Sequence, residues 1–397
     1  MTDRDLLGEA TERKERIVGW RRELHAHPEL RFDLPWTEGF VAGRLEEMGW
    51  GVRTGVARHG VVALLEVPGA SGCVALRADM DALPLTEETG LPFAAPGETM
   101  HACGHDAHMA MLLGAAELLV RHREDLKASV KLIFQPDEEG GEGAQAMIRE
   151  GVLQSPEVEA IFGCHVGCLW PDLPVGQVGV RPGVMLSAND HFRIRLLGRS
   201  AHGATPHRGV DAVVLASQVV SALQTLVSRE TNPQEAAVLT IGRIEGGTAY
   251  NVVAGEVSLE GTLRSFSEPV RHRLHRRLEE VCEGVAHAMG GEAEVRISPG
   301  PPLLANDPEV TERFARTAAR VAGEDRVTVL DRPGMVSEDF AFYLKACPGT
   351  FFFLAACDAA QGHTFPHHHP RFALDEGPLP LGAALLAAAA LDWGAEA

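Results

Sequence analysis

Hydrophobic and polar positions recur with periods that change along the chain. Residues 3–27 carry apolar side chains at helical spacing and predict an amphipathic helix. GVVALLEV (60–67) and CVALRAD (73–79) read as strands, and the PGASG turn between them predicts a hairpin. After His105, DAHMAMLLGAAELLVRH returns to helical spacing, with Asp106 as its N-cap. SVKLIFQ reads as a buried strand, EGAQAMIREG as a helix and EAIFGCHV as a further strand. Strands alternating with helices predict an α/β layer around a mixed, largely parallel sheet flanked by helices.

From residue 187 the order changes. HFRIRLLG, AAVLTIGRIEG, EVSLEGTLRS and EAEVRIS read as strands. VDAVVLASQVVSALQTLV and EPVRHRLHRRLEEVCEGVAHAM are the helices among them. The result is βαββαβ, a ferredoxin-like unit. After residue 299 the strand–helix alternation resumes, with FFFLAA as another apolar strand. The pattern therefore predicts a discontinuous domain, 1–186 and 299–397, with a small domain, 187–298, inserted into it. The tail LPLGAALLAAAALDW reads as a buried C-terminal helix, being shorter than the roughly 20 apolar residues that span a bilayer.

Composition narrows the classes of function. The chain has 397 residues, 45% of them hydrophobic, enough for two globular domains. Its net charge of -19, from 36 basic and 55 acidic residues, opposes a nucleic-acid partner. The charged N-terminus lacks a signal peptide's apolar core, and no run predicts a membrane span. Seven scattered cysteines suit a reducing cytoplasm better than a disulfide framework.

Four segments carry metal-ligating or acid–base residues. In MHACGHDAHM (100–109), Cys103 and His105 flank one glycine just before a helix and can grip one metal ion or two adjacent ones. Taken alone, this is also how a buried cysteine beside a capping turn would look. In FQPDEEGGEG (134–143), Glu138 and Glu139 follow an apolar strand. Neighbours in extended chain point to opposite sides, so one carboxylate can ligate metal while the other faces a water. Paired acids in loops are also commonly just solvated. His165 ends an apolar strand, where an open α/β sheet presents its crevice, and Asp79 and Asp81 occupy the same kind of place. FPHHHPRF (365–372) is either a surface histidine run or the source of one more imidazole ligand.

These segments, with ALRADMDALPL, GRSAHGATPHRGVDA and SEDFAFY in the same order, resemble the metallo-aminoacylase group. That group includes hippurate hydrolase and the indole-acetyl-amino-acid hydrolases, within a superfamily that also holds carboxypeptidases. The resemblance runs from HAHPEL (25–30) to the end. It implies a zinc-exopeptidase-like catalytic domain and a lid that also dimerises. It implies the metal ligands Cys103, His105, Glu139, His165 and His368, with Glu138 as general base. Asp81 is then the carboxylate behind the ligands, with Asp106 as another. In the inserted domain, His202 matches a histidine that reaches across a dimer to the oxyanion, and Asn251 and Arg264 match residues that hold the substrate carboxylate. Asp79 and His207 acquire no firm role.

The expected activity is hydrolysis of an N-acyl-L-amino acid by a metal-activated water. Two divalent ions per subunit are expected, zinc first on ligand type, with Mn, Co or Ni as alternatives. The partners expected are the small-molecule substrate and further copies of the chain, as a homodimer or homotetramer. The rivals are a dipeptidase or carboxypeptidase on the same scaffold, and a non-catalytic metal-binding remnant. A thiol enzyme using Cys103 fits poorly, because no CxxC occurs.

Overall fold

The computed structural model describes residues 5–70, 72–358, 360, 362–363 and 365–394. The chain divides into two compact units. Unit 1 comprises Met1–Met185, Ala305–Arg332 and Glu338–Ala397, and unit 2 comprises Leu186–Leu304 and Pro333–Ser337. No local pattern announces that Pro333–Ser337 belongs to unit 2. Its attachment is made by backbone bonds, with Ser187 N–H donating to Gly334 and Val336 carbonyls.

In unit 1, the helix expected over 3–27 is two helices, α1 (Leu6–Glu12) and α2 (Lys14–His25), and residues 3 and 4 lie outside the described residues. Asp5 caps α1 by accepting from Gly8 N–H at 2.8 Å. After α3 (Pro35–Glu47), β1 (Gly51–Val56) and β2 (Gly60–Leu65) form an antiparallel hairpin. The expected hairpin of β2 with β3 (Cys73–Asp79) is absent. Instead β4 (Ser129–Gln135) lies between them, antiparallel to β2 and parallel to β3. Every residue of β3 and of β4 is buried, as befits interior strands covered on both faces.

Helix α4 (His105–Arg121) starts at Gly104, whose φ of 90° lies in the left-handed region. Asp106 does not cap it; its carboxylate binds Arg21 Nε and His25 Nδ1 of α2, each at 2.8 Å. Then follow α5 (Gly143–Arg149), β5 (Val158–Gly167), β6 (Val178–Val180) and β7 (Gly183–Leu186).

Unit 2 contains β8 (Ala188–Leu197), β9 (Ala201–His202), α6 (Ala212–Ser228), β10 (Ala237–Gly246), β11 (Val252–Val253), β12 (Glu256–Ser265), α7 (Glu268–Ala288) and β13 (Glu292–Pro299). Its main sheet has the order β10-β12-β8-β13, all antiparallel. Buried and less buried positions alternate along β8 and β12, and the buried set packs with α6 and α7 around Phe192, Leu259 and Leu274. Short β9 and β11 pair separately.

The chain then supplies β14 (Leu304–Asn306), α8 (Pro308–Ala322), β15 (Val327–Val329), α9 (Ala341–Ala346), β16 (Gly349–Ala355) and α10 (Leu379–Asp392). The large sheet of unit 1 has the order β1-β2-β4-β3-β5-β16-β6-β15. Its four central strands, β4, β3, β5 and β16, run parallel, so Gln135, Asp79, Gly167 and Ala355 end on one edge. Ligand sites in open α/β sheets form outside such carboxyl ends. The Ala-rich tail is the buried α10, packed on α4 where Gly114 leaves room. A Cβ at Gly114 would lie 2.9 Å from both Ala383 Cβ of α10 and Ile17 Cδ1 of α2.

One cysteine expectation needs correction. Cys168 and Cys357 form a disulfide, while Cys73, Cys103, Cys164, Cys282 and Cys347 are free. Both partners lie just past the ends of the neighbouring strands β5 and β16, a proximity that their separation of 189 residues conceals. Among the described residues, no helix is long and apolar enough to cross a membrane.

Candidate metal centre

The turn before α4 sets the first two side chains. Left-handed Gly104 brings Cys103 and His105 to the same edge of the sheet, both buried. His105 Nδ1 donates to the Asp81 carbonyl at 2.8 Å, which turns Nε2 inward. There Nε2 has no hydrogen-bond partner, although it is buried. Its neighbours are Asp79 Oδ2 at 3.6 Å, Glu138 Oε2 at 3.9 Å and Glu139 Oε1 at 4.0 Å.

The Glu138–Glu139 turn follows β4 and is held by one carboxylate. Glu138 N–H donates to Asp81 Oδ1 at 3.0 Å and Glu139 N–H to Asp81 Oδ2 at 3.2 Å. Arg31 Nε fixes the preceding Asp137, whose φ is 54°, at 2.8 Å. The Glu139 carboxylate faces His368 Nε2 at 3.3 Å. Burial pushes the Glu139 carboxyl up, but His368 and His105 outweigh it and hold it below the ordinary range.

His165, near the end of β5, has Nε2 3.5 Å from Cys103 Sγ and Nδ1 3.0 Å from the Val166 carbonyl. The two histidines of the HHH run that approach this edge do so differently. His367 is turned in beside His165, with ring centroids 5.0 Å apart. His368 is 53% exposed and has a left-handed φ of 65°, with its N–H bonded to Ala102 O at 2.9 Å. Cys103 Sγ, Glu139 and His368 offer atoms within 4.8 Å of one another, as do Cys103, His165 and His367, and His105, Glu138 and Glu139.

These residues fit a divalent cation. A buried imidazole nitrogen ringed by carboxylate oxygens at 3.6–4.0 Å is too distant for good hydrogen bonds. It leaves the right donors for an ion between them. Burial first, then the Glu139 charge, pushes the Cys103 thiol up to about 12, so it holds its proton unless a cation displaces it. Thiolate, imidazole and carboxylate together suit a borderline ion.

In unit 2, His202 and Asn251 are neighbours on the β9–β11 ribbon. Gly203 N–H donates to the Asn251 carbonyl at 2.8 Å, and His202 pairs in register with Val252. His202 Nδ1 accepts from Ala204 N–H at 3.0 Å. Arg264, half-buried on β12, donates from Nη1 to Met335 O at 2.9 Å. Burial lowers its pKa, and no carboxylate pairs with it among the described residues. His207 sits exposed in the turn Pro206–Arg208.

The model of peptidase family M20/M25/M40 matches residues 75–392. The chain belongs to that family. Over 365 residues, 91% of this chain and 84% of the relative, it is 41% identical to an N-acetyl-L-cysteine deacetylase of Bacillus subtilis. It is 40% identical to the IAA-amino acid hydrolase ILR1-like 4 of Arabidopsis thaliana, over 94% of this chain and 84% of that one. A thermostable carboxypeptidase of Saccharolobus solfataricus is 34% identical over 95% of each chain. Among solved structures, a dinuclear metal binding peptidase of the M20 family from Bacillus subtilis superposes with a TM-score of 0.82 at 35% identity, covering 96% of this chain and 98% of that one. This M20 chain is a metallo-amidohydrolase.

Residues that local reading did not assign adjoin Glu138. Arg77 of β3, wholly buried, binds Asp79 Oδ2 at 2.7 Å, Asp339 Oδ1 at 3.0 Å and Glu338 Oε1 at 3.1 Å. Gln135 Nε2 also donates to Asp339, at 2.8 Å. Asp339 N–H lies 3.4 Å from Glu138 Oε1. Burial first, then Glu338, Glu139 and Asp339, raise the Glu138 carboxyl well above its usual range. SEDFAFY was the visible signal for Glu338 and Asp339, but nothing local ties it to Arg77, 262 residues away from Asp339. Asp106, expected behind the ligands, binds Arg21 and His25 of α2 instead, as described above.

Proposed function

We propose that the chain hydrolyses the amide bond of N-acyl-L-amino acids to a carboxylic acid and a free amino acid. The observation that carries this reading is the inward, partnerless His105 Nε2 beside Cys103, Glu139 and a separate carboxylate, Glu138. Cys103, His105, Glu139, His165 and His368 are read as holding two divalent ions, zinc first, with Mn, Co or Ni as alternatives. Cys103 belongs to two of the donor groupings, and a dinuclear relative supports the pair. Such ions would polarise the acyl carbonyl and acidify a water.

The chain's own residues do the rest. Glu138 takes a proton from the attacking water and later returns it to the departing amine. Burial and the neighbouring carboxylates raise its affinity for that proton. Asp81 holds both glutamates in place through their amides. His202 stabilises the charge that builds on the acyl oxygen, and Asn251 and Arg264 hold the α-carboxylate. Residues 187–298 are read as a lid that pairs with a second copy, making a homodimer or homotetramer in the cytoplasm. The β10 edge of the unit 2 sheet, with most of its last residues exposed, supports such pairing.

The names of two relatives, an N-acetyl-L-cysteine deacetylase and an IAA-amino acid hydrolase, favour an acylated amino acid as substrate. The carboxypeptidase relative keeps a peptide substrate as the second reading. A panel of N-acetyl and N-benzoyl amino acids and dipeptides, run on metal-reconstituted protein, separates the two. Free amino acid should be released from the acyl substrates at least tenfold faster, and the opposite order overturns the first reading. Glu138→Gln should lower kcat about 10²–10⁴-fold while bound metal, quantified in parallel, stays near wild type.

A further inference from the structure

Two histidines beside the metal centre have their Nε2 atoms already committed, while the buried His367 Nδ1 keeps no hydrogen-bond partner. His108 lies on α4, three residues after His105. Its Nδ1 faces Asp79 Oδ1 at 2.6 Å, and Val166 N–H donates to its Nε2 at 2.9 Å. An amide N–H can only donate, so Nε2 carries the lone pair and Nδ1 carries the proton, directed at Asp79. His367 receives the Cys168 N–H at its Nε2, also at 2.9 Å. Its ring lies against Gly167, where any Cβ would collide with it, and against Phe372 at 4.6 Å. Neither Nε2 is free for an ion, although both rings stand within 4.7–5.0 Å of the His165 ring.

The reason for these bonds lies in the sheet. Pairing of β3 with β5 ends at Arg77↔Gly163. Beyond that point β5 has no strand on that edge, and a buried N–H needs an acceptor. His108 supplies one at Val166. The Val166 carbonyl lies between the two amides that the imidazoles hold, and His165 Nδ1 donates to it at 3.0 Å. That bond leaves the His165 Nε2 lone pair facing Cys103 Sγ.

We propose that His108, oriented by Asp79, is a positioning residue and not a ligand: it fixes the peptide that precedes the Val166 carbonyl, as His367 fixes the one that follows, and so holds His165 in its ion-binding tautomer and direction. The inference rests on the metal-centre reading above, and it gives Asp79 and His108 roles of their own.

The test is zinc or cobalt(II) binding by equilibrium dialysis of the full chain, with thermal unfolding of the metal-free form recorded alongside. Wild type should bind two ions. His108→Leu should weaken one ion about 10–100-fold and leave the other within about twofold. His108→Gln, which keeps a donor for Asp79 and an acceptor for Val166, should recover most of the loss. Where the leucine variant does not fold, Asp79→Asn serves. Its neutral Oδ1 is a weaker acceptor for the Nδ1 proton than the carboxylate, so the ring is held less firmly and a smaller loss at the same ion is expected. Wild-type affinity for both ions in the variants, or equal weakening of both in step with lost thermal stability, overturns the positioning role. A wild-type chain that binds no ion overturns the metal-centre reading itself.

Discussion

The amides of Glu138 and Glu139 converge on the two oxygens of Asp81, and the carbonyl of the same residue receives the His105 Nδ1 proton. One residue thereby aims a histidine and two glutamates from separate segments. Asp81→Ala removes both amide acceptors and should weaken ion binding about 10–100-fold, read by competition with a chelator. Asp81→Asn keeps one acceptor oxygen and should fall between. Arg264 is poised to meet the other end of the substrate. It is half-buried, bonded to a single carbonyl and free of any acidic partner among the described residues, so its guanidinium fork remains open to an anion. Arg264→Ala should raise KM for an N-acyl amino acid about 10–100-fold, the worth of a charge-assisted hydrogen bond, and leave KM for its amide little changed. Equal effects on both would remove Arg264 from carboxylate recognition.

At the scale of elements, unit 2 depends on a buried charge that joins a strand to a helix. Asp190 of β8 accepts from Arg271 Nε at 2.8 Å and Nη2 at 2.6 Å, and His275 Nε2 lies 2.5 Å away. Burial alone would raise its pKa, but His275 and Arg271 outweigh burial and depress it. A depressed carboxylate stabilises the fold above its unfolded pKa, about 3.9, and that stability is lost as pH falls through the folded value. Asp190→Asn should therefore cost about 3–5 kcal/mol near neutrality, by urea unfolding, with the difference from wild type shrinking below about pH 4. Elements were legible where apolar periodicity ran long: α4, α7, α10 and the alternating β8 and β12 stand as the pattern predicts. The β2–β3 hairpin failed because β4, some 50 residues later in sequence, takes the place between them, and local turn chemistry carries no record of a distant strand. His105 and His165 were visible because one opens a helix and the other lies near the end of a strand, whereas His368 in its turn came from the family pattern alone. The roles of Asp79 and His108 were not visible, because their meaning lies in a Val166 amide left open where β3 stops.

The whole molecule adds a field that no single contact reveals. A net charge of -19 surrounds a proposed substrate that itself carries a carboxylate, so encounter works against repulsion. Added salt shortens the Debye length from roughly 30 Å at 0.01 M to about 8 Å at 0.15 M and screens that repulsion. Arg264 acts oppositely, as a local attraction that salt also weakens, but its half-buried position shields it more than the surface charges. The distributed repulsion should therefore dominate the response. We expect kcat/KM for an N-acyl amino acid to rise about twofold to tenfold across that range, while the uncharged amide of the same substrate changes little. The measurement needs one buffer, fixed pH, metal-saturated protein and two salts of different anion, so that ion-specific inhibition separates from screening. A kcat/KM that falls with salt for the anionic substrate alone would mean that the local positive charge governs capture, and that the acidic surface plays no part in it.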